Sequence, residues 1–435
     1  MRVVHLSTSD SSGGAARAAY RLHTGLRRIG VDSSMLVEEK KTDDPHVRRF
    51  KPPADFLSRL KRRMRRKAIA RDGARYPNRP ASLDWFSDDR TPYGDQLVAE
   101  LPSCDVINLH WVAGFVDYGG FFPAAARLGV PLVWRLADMN AFTGGCHYDD
   151  GSGKFTDRCG ACHQLGSSDQ IDLSRQIWLR KKAALSQVPK AGLHLVATSR
   201  WIAAEAKRSS LLADRDVTII PNGLDVRDFA PRDMKFSRDF FDLPPGAKIV
   251  LFAADSAATV RKGFAYLAEA LQGMTGVENL LLVSVGGGDP KITGLPHRHL
   301  GRIRDDRVLS LAYGAADVYV IASLQESFGQ TVSESLACGT PVVAFASGGI
   351  VDMVRPGVTG ELAPTRDVPA LRDAVRRVLS DPAKRSQMSE NCRRIAVAEY
   401  SLEVQAKSYE TLYRSLIESR RSVSTHRGTA ANEGV

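Results

Sequence analysis

Apolar positions along this chain fall into short runs separated by stretches in which they recur every three or four residues. The runs Arg2–Thr8, Ser34–Glu38, Asp105–His110, Pro131–Asp138, His194–Thr198, Val217–Pro221, Lys248–Ala254, Leu280–Val285, Asp317–Ala322 and Pro341–Phe345 predict strands. Several are Val/Ile/Leu-rich without polar alternation, the pattern of strands covered on both faces. Ala15–Ile29, Trp201–Leu212, Phe264–Gln272, Gln330–Ala337 and Val368–Leu379 carry helical spacing. Strands alternating with helices in this way predict an α/β protein with parallel, doubly wound sheets.

Ten strands are too many for one compact unit. Pro221–Pro231 and the polar stretch to Gly246 read as a hinge, after which Lys248 restarts the pattern. The expected division is an N-terminal domain over 1–223 and a second over 224–400. A helix over 401–417 packs back across both, and a polar, disordered tail covers 418–435.

The 435 residues are 43% hydrophobic and 25% charged, which excludes a disordered chain, a collagen-like repeat and a coiled-coil rod. No apolar run approaches the roughly 18 residues of a membrane span. The start lacks the apolar core of a signal peptide, and six cysteines are too few for a disulfide scaffold. The expected location is a reducing cytoplasm. Net charge is +11, and residues 48–90, with fourteen Arg/Lys against five Asp/Glu, carry +9 of it. One basic segment points to a local anionic surface rather than to nucleic-acid binding over the whole molecule.

Two segments suggest chemistry. Ser9 to Ala16, containing Gly13 and Gly14, follows the first strand and opens a helix. Glycines there allow close backbone approach, and free helix amides favour an anion such as a diphosphate; a tight strand–helix turn is the alternative. In Ala322–Glu334 a strand ends, a loop carries Glu326, a helix starts near Gly329, and Glu334 lies one to two turns into it. Amides near Gly329–Thr331 suit phosphate, and each carboxylate accepts hydrogen bonds from sugar hydroxyls. A nucleotide sugar presents these groups together, whereas acids that complement a helix dipole need no ligand.

The Glu326 to Glu334 spacing, E-x(7)-E, resembles the retaining glycosyltransferases of family 4, which have the GT-B fold. The likeness continues through Ser335–Val343, Gly348-Gly349-Ile350 and Val358-Thr359-Gly360, and upstream through Ile219–Asp225 and Arg261-Lys262-Gly263-Phe264. The resemblance implies two Rossmann-like domains facing across a cleft. It implies that Glu334 binds the ribose and Glu326 the donor sugar. Lys262, Arg261 and the amides of Phe328, Gly329, Gln330 and Thr331 would neutralise the diphosphate, approached by Gly13 and Gly14. The implied reaction moves a sugar from a nucleotide donor to a saccharide or lipid-linked saccharide. Configuration is retained, no metal is needed for the transfer, and the setting is bacterial exopolysaccharide or lipopolysaccharide assembly. A nucleotide-sugar 2-epimerase of the same architecture and a catalytically weakened binding protein are the alternatives.

Two departures stand out. Relatives often carry an arginine five or six residues before the phosphate lysine, where this chain has Ala257 and Ser256. Relatives also carry a His-Asp pair where this chain has Ala137-Asp138. Asp138 remains a catalytic and acceptor-side candidate. His110 either faces the same cleft or is a strand-end core residue.

Cys146, Cys159, Cys162 and His163 fall within eighteen residues of polar, Gly-rich chain. Either they hold a structural zinc or the thiols are free in a packed loop. A subset of the resembling family tends to have four cysteines here. In Leu57–Ala68, Leu57, Leu60, Met64 and Ala68 form one helical stripe beside seven basic residues. This suits either an anionic bilayer or a solvated helix packed on the protein; no aromatic stacking platform for nucleic acid accompanies it.

Overall fold

The computed structural model describes residues 1–80, 83–288, 290 and 292–432, with side chains described as far as residue 420. Two parallel sheets organise the chain. The first contains β1 (Arg2–Ser9), β2 (Asp32–Glu39), β3 (Val47–Arg49), β4 (Val106–Leu109), β5 (Leu132–Leu136), β6 (Leu193–Ala197) and β7 (Val217–Ile219), in the order 3-2-1-4-5-6-7. The second contains β8 (Lys248–Ser256), β9 (Leu280–Gly287), β10 (His297–His299), β11 (Val318–Ile321), β12 (Val342–Phe345) and β13 (Gly360–Ala363), in the order 10-9-8-11-12-13. Every residue of β4, β5, β11 and β12 is buried, as expected of largely apolar strands covered on both faces, with Asn108 and Arg135 the polar residues among them. In each sheet the order reverses beside the first strand, which opens a crevice at the carboxyl ends of the strands.

All ten expected strands are present. The sequence pattern misses β3, β10 and β13, which are three or four residues long and lie at sheet edges. The polar stretch before Gly246 is not an extended linker. Asp233 caps a helix over Met234–Phe240, and the buried Arg238–Asp317 pair, 3.0 Å apart, fastens it to the second domain. Nor does the last helix stop at 417. It runs from Leu402 to Asn432, past the expected disordered tail, through a proline-free stretch containing Arg and Ala; 433–435 lie outside the described residues.

The chain crosses between domains twice, side by side. Leu224 N donates to Tyr400 O at 2.9 Å, and Leu402 N donates to Leu224 O at 3.0 Å. After the second crossing, Ala406, Tyr409 and Tyr413 pack against Val3, Leu22, Leu26, Val106 and Val133. The first domain therefore completes its core with residues from the far end of the chain.

Arg135 of β5 is a second unusual element of that core. It is buried and donates to His110 Nδ1 at 2.9 Å, Asn222 Oδ1 at 2.8 Å and Ala15 O at 2.9 Å. Burial lowers its pKa, and burial likewise holds His5 and His110 neutral.

Replacing Tyr413 with Ala should leave a cavity in this shared core and cost about 3–5 kcal/mol, as large aromatic truncations do. Denaturant unfolding read by circular dichroism measures the loss.

Candidate active site

The loop between β11 and the helix Gln330–Ala337 positions the two glutamates. Gly329 adopts φ +90°, a left-handed turn that starts the helix. Gly349 N donates to Glu326 O at 2.7 Å, so the Gly348-Gly349 turn pins the backbone carrying that carboxylate. Lys262 Nζ lies 2.6 Å from Glu326 Oε2, and Arg261 Nη1 lies 3.4 Å from the same oxygen. Burial works to raise the Glu326 pKa, but the charges of Lys262 and Arg261 outweigh it and hold the carboxyl below its ordinary value.

Arg261 has further partners. It ion-pairs with Asp84, donates to Gln325 O at 2.7 Å, and stacks on the Tyr148 ring 3.9 Å from its centroid. Tyr148 OH in turn accepts from Ser327 N at 3.3 Å. Asp149 accepts from Gln325 Nε2 at 2.9 Å. The Gly- and Cys-rich loop of the first domain thus closes one wall of the site on the second domain.

Gly13 and Gly14 lie opposite. Gln330 Nε2 donates to Gly14 O, and a Cβ added at Gly14 would meet that amide at 3.2 Å. Glu334 is 3% exposed. Its carboxylate meets Arg21 Nη2 at 3.0 Å and Tyr313 OH at 3.2 Å, while Arg21 and Arg17 also reach Asp306. Thr331 Oγ1 is 2.7 Å from Tyr319 OH. The Phe328 ring is core, packed 6.0 Å from Tyr400, so only its backbone is available to a ligand.

Three expectations change. His110 does not face the cleft as a free imidazole. Arg135 donates to its Nδ1, its Nε2 lies 2.8 Å from His5 Nδ1, and it supports the core. His163 does not join the cysteines, because its ring points toward Asp150, 4.0 Å away. Cys146 and Cys162 sulfurs are 3.8 Å apart, and Cys159 Sγ accepts from Gly144 N at 3.2 Å. Among the described residues no group of three or more His, Cys, Asp or Glu is arranged to hold a metal, although Cys146, Cys159 and Cys162 line one small cavity. The hydrogen bond from Cys146 instead draws the Cys162 thiol down to about 7. Finally, Ala68 turns inward from the stripe of the basic helix, Phe56–Gly73.

That helix buries none of its residues, and Leu57 and Met64 are 65% and 63% exposed. It docks through its arginines: Arg62 donates to Pro53 O at 2.7 Å, and Arg65 donates to Thr91 O at 2.9 Å and pairs with Asp117. The apolar stripe is therefore turned to solvent.

Asp138 Oδ2 accepts from Trp111 Nε1 at 2.9 Å and from His147 Nδ1 at 2.6 Å. An imidazole thus stands beside Asp138 although residue 137 is alanine. Sequence reading misses His147, Asp84, Tyr148, Arg21 and Asp306. Arg21, Asp84, Tyr148 and Asp306 join the site through contacts with residues distant in sequence, and although Arg21, Asp84, His147 and Tyr148 lie in stretches with a sequence signal, none of those signals points to these contacts.

This is the architecture of a GT-B protein, with two Rossmann-like parallel-sheet domains and the cleft between them. Residues 233–395 match the family model for Glycosyl transferases group 1. A D-inositol 3-phosphate glycosyltransferase of Catenulispora acidiphila is 30% identical over 311 residues, 66% of this chain and 65% of that protein. One from Xylanimonas cellulosilytica is 32% identical over 227 residues, 48% of this chain and 53% of its own length. The chain thus spans between about half and just under two thirds of the length of these curated relatives. Among solved structures, sucrose-phosphate synthase of Thermosynechococcus elongatus aligns with a TM-score of 0.63 at 22% identity, covering 96% of this chain and 100% of that one. Anabaena Alr3699/HepE in complex with UDP and glucose aligns at 0.60 and 17% identity, covering 95% and 99%. At these identities the structural likeness is one of fold.

Because Glu326 is depressed in the folded state, its ionic contribution is complete above the unfolded pKa of about 4.3 and is lost as pH falls through the lower folded value. Between about pH 5 and pH 3 the parent should therefore lose stability that Glu326→Gln does not lose. Denaturant midpoints taken at each pH compare the two.

Proposed function

We propose that this protein is a retaining glycosyltransferase that moves a hexose from a nucleotide sugar to a saccharide or lipid-linked saccharide acceptor. The observation that carries the reading is the convergence of Lys262 and Arg261 on Glu326, beside the helix start at Gln330 and opposite Gly13–Gly14. In this reading Glu326 accepts hydroxyls of the donor sugar. Lys262, Arg261 and the helix amides stabilise the negative charge that grows on the departing diphosphate. Glu334 exchanges its Arg21 contact for the ribose hydroxyls, and no metal is required. The names of the relatives support the transferase class, and HepE in complex with UDP-glucose is a fold neighbour that binds such a donor. WaaG, a glycosyltransferase involved in lipopolysaccharide biosynthesis, is another, with a TM-score of 0.57 at 16% identity; this fits a role in bacterial polysaccharide or lipopolysaccharide assembly.

In the same reading the basic helix Phe56–Gly73 holds the protein at the inner face of the cell membrane. The exposed stripe of Leu57, Leu60 and Met64 enters the headgroup region while the surrounding lysines and arginines meet anionic lipid. Among the described residues no helix is long and apolar enough to cross a membrane.

Calorimetry with UDP, GDP and ADP should find one tight ligand, weakened by Glu334→Ala by about 1.5–3 kcal/mol as a charged acceptor is lost. Lys262→Ala should lower the rate of donor hydrolysis more than it lowers donor affinity, because its charge matters most as the diphosphate departs. Absence of any nucleotide binding by the parent overturns the reading.

Liposome co-sedimentation tests the membrane contact. Vesicles containing phosphatidylglycerol should bind the parent at low salt and release it at high salt, while pure phosphatidylcholine should not bind it. Changing Leu57, Leu60 and Met64 to Ser together should remove binding and leave donor hydrolysis intact. Unchanged sedimentation of that variant removes the helix from the proposal.

A further inference from the structure

Beside the candidate donor site, a tryptophan is held in solvent by a fixed backbone. Trp85 is 70% exposed. Its carbonyl accepts from His147 N at 3.3 Å, and two residues on Ser87 N donates to Gly145 O at 2.9 Å. Phe86 and Cys146 form the intervening bridge. Along this extended segment the side chains alternate. Asp84 reaches Arg261 in the second domain, and Phe86 packs with the cysteine-lined cluster. Trp85 and Ser87 turn to the other face, toward Trp111 and His147.

Trp111 stands at right angles to Trp85, with ring centroids 6.4 Å apart and an interplanar angle of 89°. Its indole N–H is held by Asp138, and its ring lies against His147, centroids 5.4 Å apart. A small cavity beside it is lined by Trp111, Ala137, Asp138 and Asn140. Two indoles at a right angle, one held through its own N–H and the other carried on a hydrogen-bonded backbone, form a corner.

We propose that this corner is the acceptor subsite and that it takes a neutral pyranose ring, stacked on Trp85 and bounded by Trp111. A pyranose offers one face of C–H groups to an aromatic ring, whose π-face carries partial negative charge, while its hydroxyls point outward to polar groups. Ser87, His147 and Asp138 are the polar groups adjoining the two indoles on this face. Of the cations around this segment, Arg261 is engaged by Asp84, Glu326 and Tyr148, and Arg79 lies on the Phe86 side, where it donates to the Asp84 carbonyl and sits over the Phe86 ring, so neither is turned to the corner to meet a phosphorylated ring. Position supports the assignment. The Ala137 carbonyl, in the cavity beside Trp111, accepts from Ser327 Oγ at 2.6 Å, and Ser327 follows Glu326, the proposed holder of the donor sugar. A ring on Trp85 is therefore next to the sugar that would be transferred. This inference rests on the glycosyltransferase reading for the word acceptor, though not for the presence of a sugar site.

Saturation-transfer NMR with the methyl pyranosides of glucose, galactose, mannose and N-acetylglucosamine tests it, with inositol 3-phosphate as the charged comparator. The parent should receive saturation on one ring face of at least one pyranoside and give less with the comparator. Trp85→Ala should weaken that binding by about five- to tenfold, and Trp85→Phe should retain most of it. Nucleoside diphosphate affinity should be unchanged in both variants, which also shows that they are folded. No pyranoside binding by the parent, equal binding by Trp85→Ala, or preference for inositol 3-phosphate overturns the proposal. Failure of the parent to bind any nucleoside diphosphate would sink the transferase reading while leaving a pyranoside site on Trp85 standing.

Discussion

The closed cleft depends on where one guanidinium is held. Arg261 follows β8 in the second domain, yet it is fixed by Asp84 and Tyr148 of the first and by Glu326 and the Gln325 carbonyl of its own. Burial works to lower its pKa, but neighbouring Tyr148, Glu326 and Asp84 more than offset this, so the charge stays. A buried cation with these partners cannot move alone, because each acceptor left behind would be a desolvated polar group. The Cys-rich loop, the segment around Asp84 and the E-x(7)-E loop therefore share one position. The departures at Ala257 and Ser256 gain meaning here, since the second cation that relatives place upstream is supplied next to Lys262.

A similar economy governs Asp138. The resemblance implies an imidazole from the adjacent residue; here residue 137 is alanine, and the imidazole beside Asp138 is that of His147, nine residues on, carried by a loop that folds back. The aspartate is buried, which alone would raise its pKa, but His147, Asn140 N–H and Trp111 N–H keep it lowered. What matters to the site is an oriented carboxylate and a neighbouring ring, and the backbone route to them differs.

How much of this was legible follows from the range of the interactions. The strands announced themselves because burial on both faces demands unbroken apolar runs. Glu326, Glu334 and Lys262 were legible because their motifs are local. Short edge strands such as β10, His-Arg-His, were not, since they carry little apolar pattern and owe their state to a neighbour. Asp84 and Arg21 were illegible for a stronger reason: Asp84 meets Arg261 across 177 positions, and Arg21 meets Glu334 across 313. The cysteine spacing suggested convergence, and only the folded loop shows His163 turned away. In Leu57–Lys67 the pattern located an amphipathic helix but not which side faces the protein; Arg62 and Arg65 reverse the usual orientation by finding Pro53, Thr91 and Asp117.

The C-terminal helix has a consequence for how the molecule comes into being on the ribosome. Val3, Leu22 and Leu26 are made about four hundred residues before the tyrosines that cover them. At roughly 5–20 residues per second the interval is on the order of a minute or less, during which this apolar face has no cover from its own chain. The second domain draws its cores from residues 224–400, all of them made before those tyrosines. Vectorial synthesis here reverses the usual order: the domain translated first is the one finished last.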